Sequence, residues 1–191
     1  MSDKFDYLEE NLLPLILNIK SKKSQSHIYT FLGLERSSSQ SILIQFGEII
    51  EIFWNNAIRD SKYVSNLIEN NNMVNVLGKL RQIDHYFENL NEAYRIYLES
   101  KCNLNFDSEK IKASNNKLIQ VKDALNADHA AYFVPVVSEI PQKDLIKYNN
   151  KGIQVYGVRW MIEQIKPPFS EKDYFEFGQE VLGPILEEKG L

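Results

Sequence analysis

The stretch 80-LRQIDHYFENLNEAYRIYLESKC-102 decides the fold that we expect for this chain. It contains two runs rich in aromatic and aliphatic residues, 80–87 and 94–102, on either side of the polar segment 88–93. Strand-forming runs that flank a short polar segment are typical of a β-hairpin. We therefore predict two antiparallel strands that lie side by side in a sheet.

The predicted hairpin brings charged side chains of its two strands together. A turn centred between Asn91 and Glu92 sets Asp84 directly opposite Glu99, with Cβ atoms about 4.5–5.5 Å apart. Side chains alternate along a strand, so Glu99 and Lys101 share one face. We expect these two carboxylates and one ammonium to form a patch at the surface.

The composition of this patch predicts a metal-dependent reaction. Two carboxylates held this close repel each other unless a cation lies between them. Mg²⁺ prefers oxygen ligands and is commonly held by one or two carboxylates together with substrate phosphate. The ammonium of Lys101 is suited to orient or deprotonate a water, or to stabilise charge in the transition state. We therefore predict Asp84, Glu99 and Lys101 as catalytic residues, Mg²⁺ as cofactor and phosphodiester hydrolysis as the reaction.

The pair Ile83-Asp84 followed by Glu99-Ser100-Lys101 resembles the motif of the PD-(D/E)XK nuclease superfamily, particularly small type II restriction endonucleases. The resemblance implies a restriction-endonuclease-like fold. It also implies that both carboxylates and the backbone carbonyl of Ser100 bind the metal, with Lys101 at the attacking water. Ile83 stands where the family often has proline.

The resemblance also points to a further metal ligand. Many members of that superfamily carry a glutamate on a helix before the hairpin, and Glu48 occupies such a position here.

The segment after the hairpin is rich in Asn, Ser and Lys. Asparagine can pair with adenine through two hydrogen bonds, and lysine can reach guanine or phosphate. A merely solvated helix face is the alternative interpretation. We predict contacts to double-stranded DNA by Asn103, Asn105, Lys110, Lys112, Asn115, Asn116 and Lys117.

The first 70 residues are predicted to be mainly helical. Apolar residues recur at helical spacing over 5–20, where Pro14 should kink or split the helix. A long, well-buried helix is predicted over 39–59 and a shorter one over about 61–69.

Residues 73–158 are predicted to form the catalytic sheet core. Besides the hairpin, strands are expected at 73–77, 130–137 and 153–158, with a helix from about 108 to 126. Pro135 should limit its strand to an edge or a bulge. Residues 159–191 are predicted to be C-terminal helices. The expected fold is a single mixed α/β domain whose central mixed sheet of about four to five strands is flanked by helices.

The bulk composition limits the possible functions. With 22 Lys and Arg against 26 Asp and Glu, the net charge of -4 argues against a protein that coats nucleic acid by bulk electrostatics. No apolar run approaches the roughly 20 residues of a membrane span, and the first residues do not resemble an export signal. Cys102 is the one cysteine, which fits a reducing compartment. We expect a cytoplasmic protein without a membrane partner.

The expected function is that of a type II restriction endonuclease, acting as a homodimer because one centre per subunit must cut two strands. Two alternatives remain open. A repair, recombination or nicking nuclease would use the same centre, and a non-catalytic α/β DNA-binding or regulatory protein would carry the three charges as a surface cluster.

Overall fold

The computed structural model describes residues 3–19, 40–68, 72–102, 108–149 and 153–188. The chain divides into two compact units, of which the first comprises 1–56 and 166–191 and the second comprises 57–165. The described part of the first unit is helical, and the second unit contains the sheet.

The first unit begins with a 3-10 turn, Asp3–Phe5, which is followed by α1 (Asp6–Asn11) and α2 (Leu13–Leu17). The predicted split at Pro14 is confirmed, because this proline lies in the first turn of α2, where its missing N–H is not needed. The long predicted helix is also confirmed as α3 (Gln40–Asp60), whose last turn belongs to the second unit.

The C-terminal part of the first unit is a nearly continuous helical segment. Ser170 caps α7 (Glu171–Phe177) through a reciprocal pair of hydrogen bonds with Asp173. A π-helical turn, Gly178–Leu182, leads into α8 (Gly183–Glu188). The core of this unit is aromatic, and its rings belong to Tyr7, Phe53, Trp54, Phe169 and Tyr174.

The second unit is built on a five-stranded mixed sheet with the strand order β1-β4-β5-β6-β7. Its strands are β1 (Val64–Asn66), β4 (His85–Asn89), β5 (Tyr94–Ser100), β6 (His129–Val134) and β7 (Gln154–Gly157). β1, β4 and β5 pair antiparallel, whereas β5, β6 and β7 pair parallel. Parallel neighbours need crossover connections, which here contain α4 (Ser108–Leu125) and α5 (Gln142–Asn149). The predicted mixed α/β fold is confirmed.

Helices cover both faces of this sheet. On one face, Tyr132 of β6 donates a hydrogen bond to Asn115 of α4 and packs its ring against Tyr148 of α5. On the other face, Asn89 of β4 donates to Gln164 of α6 (Val158–Ile165). Because both faces are covered, strand β5 is buried over its whole centre, from Ile96 to Glu99.

The first predicted strand of the hairpin is interrupted. Instead of one strand over 80–87, the chain forms β3 (Lys79–Gln82) and then β4, with Ile83 and Asp84 between them. β3 pairs with β2 (Met73–Val76) in a separate two-stranded sheet. The backbone N–H of Ile83 donates to the carbonyl of Asn72 at 2.9 Å, which closes the base of this ribbon before the chain enters the central sheet.

Two further predictions need correction, and one helix was not predicted. The helix expected over 61–69 is wrong, because the described residues up to 68 contain β1, an edge strand that pairs with β4. Pro135 does not lie within a strand; it follows the end of β6, which is an interior strand of the sheet. α5 was not predicted at all.

Among the described residues, no helix combines the length and apolarity that crossing a membrane requires.

Candidate active site

The hairpin of β4 and β5 sets the position of the candidate site. Asn89 pairs with Tyr94 and the register continues to His85 opposite Leu98, so the turn is centred where the sequence predicts it. The side-chain oxygen of Asn89 accepts hydrogen bonds from the backbone N–H groups of Asn91 and Glu92 at 2.9 and 3.0 Å. This local bonding holds the turn and thereby the register of the strands.

Asp84 lies immediately before β4, at the position that the register continues opposite Glu99. Its carboxylate accepts a hydrogen bond of 2.7 Å from the backbone N–H of Ser100. Asp84 is therefore held against the carboxyl end of β5, as the sequence predicts.

Glu99 is the most constrained residue of the site. Its Oε1 accepts from the ammonium groups of Lys101 at 2.7 Å and Lys117 at 2.9 Å. Its Oε2 accepts from the Tyr97 hydroxyl at 2.5 Å and from Lys117 at 3.1 Å. A carboxylate has about four lone-pair positions, so the hydrogen-bonding capacity of Glu99 is filled.

The patch does not lie at the surface as expected. Glu99 is only 5% exposed, because α4 packs across this face of the sheet and brings Lys117 over it. The side chains of Lys101 and Lys117 remain partly open to solvent, with 26% and 36% exposure. The site is therefore a partly enclosed cluster of two acids and two bases, including Asp84, at the carboxyl end of β5.

The pKa values of the two carboxyl groups are shifted in opposite directions. Burial, together with the negative charge of Glu99, raises the pKa of Asp84 to about 6, although Lys101 acts in the other direction. Burial also acts to raise the pKa of Glu99, but the charge and hydrogen bond of Lys101, assisted by Tyr97 and Lys117, outweigh it and hold that pKa at about 2. Glu99 is thus a permanent anion, and Asp84 is a carboxylate that is costly to ionise.

Tyr97 is a functional candidate that the sequence analysis did not single out. It is fully buried and donates its hydroxyl proton to Glu99. Burial and the adjacent Glu99 raise the pKa of this hydroxyl, which keeps it a hydrogen-bond donor. The alternation of β5 places Tyr97 on the same face as Glu99, and that was the signal available in the sequence.

Lys117 was predicted to contact DNA, but its ammonium is paired with Glu99. It precedes the buried Val121 by four residues on α4, which places both on neighbouring positions of the sheet-facing side. Helical spacing could therefore have placed Lys117 on the sheet-facing side of α4, although not beside Glu99.

The other predicted DNA contacts divide into three groups. Asn115 is buried, and its amide oxygen accepts the hydroxyl proton of Tyr132 at 2.9 Å, which does not fit a base contact. Lys112 and Asn116 are exposed on α4, so their predicted contacts stay predictions. Asn103, Asn105 and the side chain of Lys110 lie outside the described residues.

Two remaining assignments concern Glu48 and His85. Glu48 is exposed on α3 in the first unit, and its predicted metal role stays a prediction. His85 is a core residue: it is fully buried and packs edge-on against Phe133 at 5.8 Å. Burial lowers the pKa of His85 to about 3, so the ring is neutral.

The donor set limits which metal the site could hold. The described residues contain no group of three or more His, Cys, Asp or Glu side chains arranged for a metal. The pair Asp84 and Glu99 offers oxygen atoms only, which suits Mg²⁺ with substrate phosphate and water as its other ligands. It does not suit zinc, which favours four protein ligands rich in Cys and His.

The comparisons with known proteins do not assign a family. No protein family model matches this sequence, and no curated protein is similar to it.

Proposed function

We propose that this protein is a Mg²⁺-dependent endonuclease of the type II restriction kind, which hydrolyses phosphodiester bonds in double-stranded DNA. The observation that carries the proposal is the placement of Asp84 opposite Glu99 at the end of β5, close enough for the two charges to interact, with the ammonium of Lys101 2.7 Å from Glu99. The two lysines pair with Glu99, whereas Asp84 accepts a hydrogen bond from the backbone N–H of Ser100. The second acid, with its raised pKa, weakens folding at neutral pH and is better explained by a ligand.

The residues fit a divalent cation in charge and donor type. Asp84 and Glu99 would hold the ion, together with the backbone carbonyl of Ser100 that the family resemblance suggests. When bound, Mg²⁺ supplies a Lewis acid that polarises a phosphoryl oxygen. A ligand of this charge also relieves the repulsion between the two carboxylates, which is part of what raises the pKa of Asp84.

Binding at Glu99 requires one of its present donors to withdraw. Lys117 is the donor that we expect to leave, because it comes from a separate helix and is more exposed than Lys101. Its ammonium then becomes available to the negative charge of a phosphate. Tyr97 is buried behind Glu99 and keeps the carboxylate oriented.

Lys101 is the residue assigned to the reacting atoms. It follows directly on β5, and its backbone N–H donates to the carbonyl of Phe133 on β6 at 2.8 Å, which anchors the residue to the sheet. Its side chain remains partly exposed. In this position the ammonium orients the attacking water and stabilises the negative charge that develops on the phosphoryl oxygens.

The test is cleavage of unmethylated plasmid and genomic DNA in the presence of Mg²⁺, with EDTA as the metal-free control. We expect discrete fragments from the wild-type protein, and a loss of cleavage of at least about 100-fold for Lys101→Ala and Asp84→Asn. Discrete fragments with uniform ends support a sequence-specific enzyme. Full cleavage by both variants, or no cleavage by the wild type, contradicts the proposal.

The proposed enzyme acts as a homodimer on both strands of the duplex. The described residues contain one proposed catalytic centre per chain. A symmetric DNA sequence presents two equivalent phosphodiester bonds, one in each strand, so two subunits are needed to cut both. Sedimentation of the protein with and without a cleavable duplex measures this directly, and a monomer that nicks only one strand points to the nicking class instead.

A further inference from the structure

The ribbon formed by β2 and β3 has an outward face that no described element covers. It comprises residues 73–82, and its register pairs Met73 with Gln82 and Asn75 with Leu80. The side of β2 that carries Val76 packs toward α4, and this valine is only 5% exposed.

The outward face mixes apolar and amide side chains. Met73 and Leu80 are 40% and 68% exposed, and Asn75 and Gln82 are exposed beside them. Single exposed aliphatic residues are common on protein surfaces, but this short ribbon groups three of them, Met73, Leu77 and Leu80. Amides and methyl-bearing side chains are, by contrast, the groups that read base edges in the DNA major groove.

The tip of the ribbon carries a residue that its backbone conformation does not favour. Leu77 is 85% exposed and has a φ of 50°, in the left-handed region, and Gly78 follows with a φ of 80°. The side-chain oxygen of Asn75 accepts from the backbone N–H of Gly78 at 2.9 Å and closes the turn. Asn-Gly is the favoured pair for such a turn, and leucine is strained there. The leucine is therefore retained against the preference of the backbone.

The charge of the ribbon is opposite to that of the whole chain. Residues 72–83 contain Lys79 and Arg81 and no acidic residue, in a protein whose net charge is -4. Both cations are exposed on β3, on the face opposite to Leu80 and Gln82, since their register partners are Val76 and Val74. This distribution complements a polyanion.

The ribbon is directly connected to the candidate active site. One residue, Ile83, separates Gln82 from Asp84, and Ile83 is itself buried and hydrogen bonded to Asn72. Because the ribbon and Asp84 are so close in the chain, a ligand bound to the ribbon lies near the carboxylate pair.

We infer that the ribbon enters the major groove of the DNA substrate. The inference rests on the proposed nuclease function and adds a recognition element to it. On the outward face, Gln82 presents hydrogen-bonding groups to base edges and Leu80, with Leu77 at the tip, contacts thymine methyl groups. Lys79 and Arg81, on the other face of β3, bind phosphates that border the groove. A two-stranded ribbon has the width that the major groove admits.

The test measures binding of a 30-base-pair duplex in EDTA, where cleavage cannot occur, across a series of salt concentrations. We expect the double variant Lys79→Ala/Arg81→Ala to bind about 10-fold more weakly and to reduce the salt slope by about 2, as for the loss of two phosphate contacts. The control is Lys62→Ala/Lys172→Ala, which removes the same charge from two exposed positions elsewhere. This control is expected to bind like the wild type.

Leu77→Asn separates binding from folding. Asparagine suits the turn better than leucine, so we expect an unchanged or higher Tm together with several-fold weaker DNA binding. If the double variant and Leu77→Asn both bind duplex with wild-type affinity, the inference is overturned while the nuclease proposal stands. If they lower the oligomeric state and leave DNA affinity unchanged, the ribbon is a subunit contact and the inference is again wrong. A wild-type protein that neither binds nor cuts duplex DNA overturns both proposals.

Discussion

Glu99 accepts hydrogen bonds from three side chains, two of them cationic, inside a nearly closed cluster. Removing its charge leaves Lys101 and Lys117 facing each other without their anion. We expect Glu99→Gln to lower the free energy of unfolding by about 1–3 kcal/mol, below the range for a fully buried pair because both lysines are partly exposed. Urea denaturation measures this. An unchanged midpoint would show that the cluster contributes nothing to stability.

Replacement of Asp84 is expected to have the opposite effect and to raise the free energy of unfolding at alkaline pH. Its pKa is raised from 3.8 to about 6 in the folded protein, first by burial. The stability that this raised pKa contributes is fully present below pH 3.8 and is lost as the pH rises through 6. Asp84→Asn should therefore be more stable than the wild type at pH 8, by up to about 3 kcal/mol, with a gap that closes in acid. Denaturation at a series of pH values, without divalent metal, measures the gap.

The residues of the site were predictable to the extent that strand geometry determines them. The position of the turn between Asn91 and Glu92 sufficed to oppose Asp84 and Glu99, because antiparallel register follows from the turn. Lys117 was assigned differently because its role depends on how α4 lies across the sheet. That arrangement is a tertiary contact, which local sequence does not specify.

At the scale of elements, α4 contributes Lys117 to the cluster, and this contribution can be tested within one helix. If Lys117 competes with a metal for Glu99, Lys117→Met should lower the Mg²⁺ concentration at which the Tm rises. It should also reduce cleavage by at least about 10-fold, through the loss of a phosphate partner. The Mg²⁺ titration of the Tm is the decisive measurement.

The matched control for this substitution is Lys112→Met, which makes the same change at an exposed position of the same helix. It should leave the Mg²⁺ titration of the Tm unchanged. Identical titrations for the two variants would show that Lys117 does not compete for the metal site.

Two of the errors in the predicted elements concern segments shaped by contacts distant in the chain. A continuous strand over 80–87 was a sound prediction from local composition, but the bond from Ser100 to Asp84 and that from Ile83 to Asn72 divide it. β1 has three residues and is defined by its pairing with β4. By contrast, α3 was predictable, because a long apolar stripe at helical spacing has few alternative structures.

At the scale of the whole molecule, the proposed cofactor should appear as a change in global stability. A ligand that binds only the folded state adds about 2.7 kcal/mol when its concentration is 100 times its Kd. We expect Mg²⁺ to raise the Tm of the wild-type protein at pH 8, EDTA to reverse the rise, and Asp84→Asn to abolish it. Differential scanning fluorimetry gives this readout without DNA. Equal shifts in the wild type and in Asp84→Asn would place the ion elsewhere.

The mixed α/β class follows from patterns that the sequence displays, since each long element has a strong period of its own. The membership of the five-stranded sheet does not, because β1 was expected to be helical and β2 pairs outside this sheet. The division into two compact units has no such local mark. The chain enters the second unit within the last turns of α3 and leaves it at Ile165, in neither case through a linker rich in glycine.

Ile83 is the only residue between the ribbon and Asp84. It therefore forms a short connection between the proposed DNA-binding ribbon and the proposed catalytic acid. Inserting two glycines after Gln82 should preserve the affinity for the duplex but slow its cleavage. The reason is that binding of the ribbon would no longer fix the position of Asp84 relative to the DNA. For the proposed nuclease, the position of cleavage would then depend on the chain length between Gln82 and Asp84.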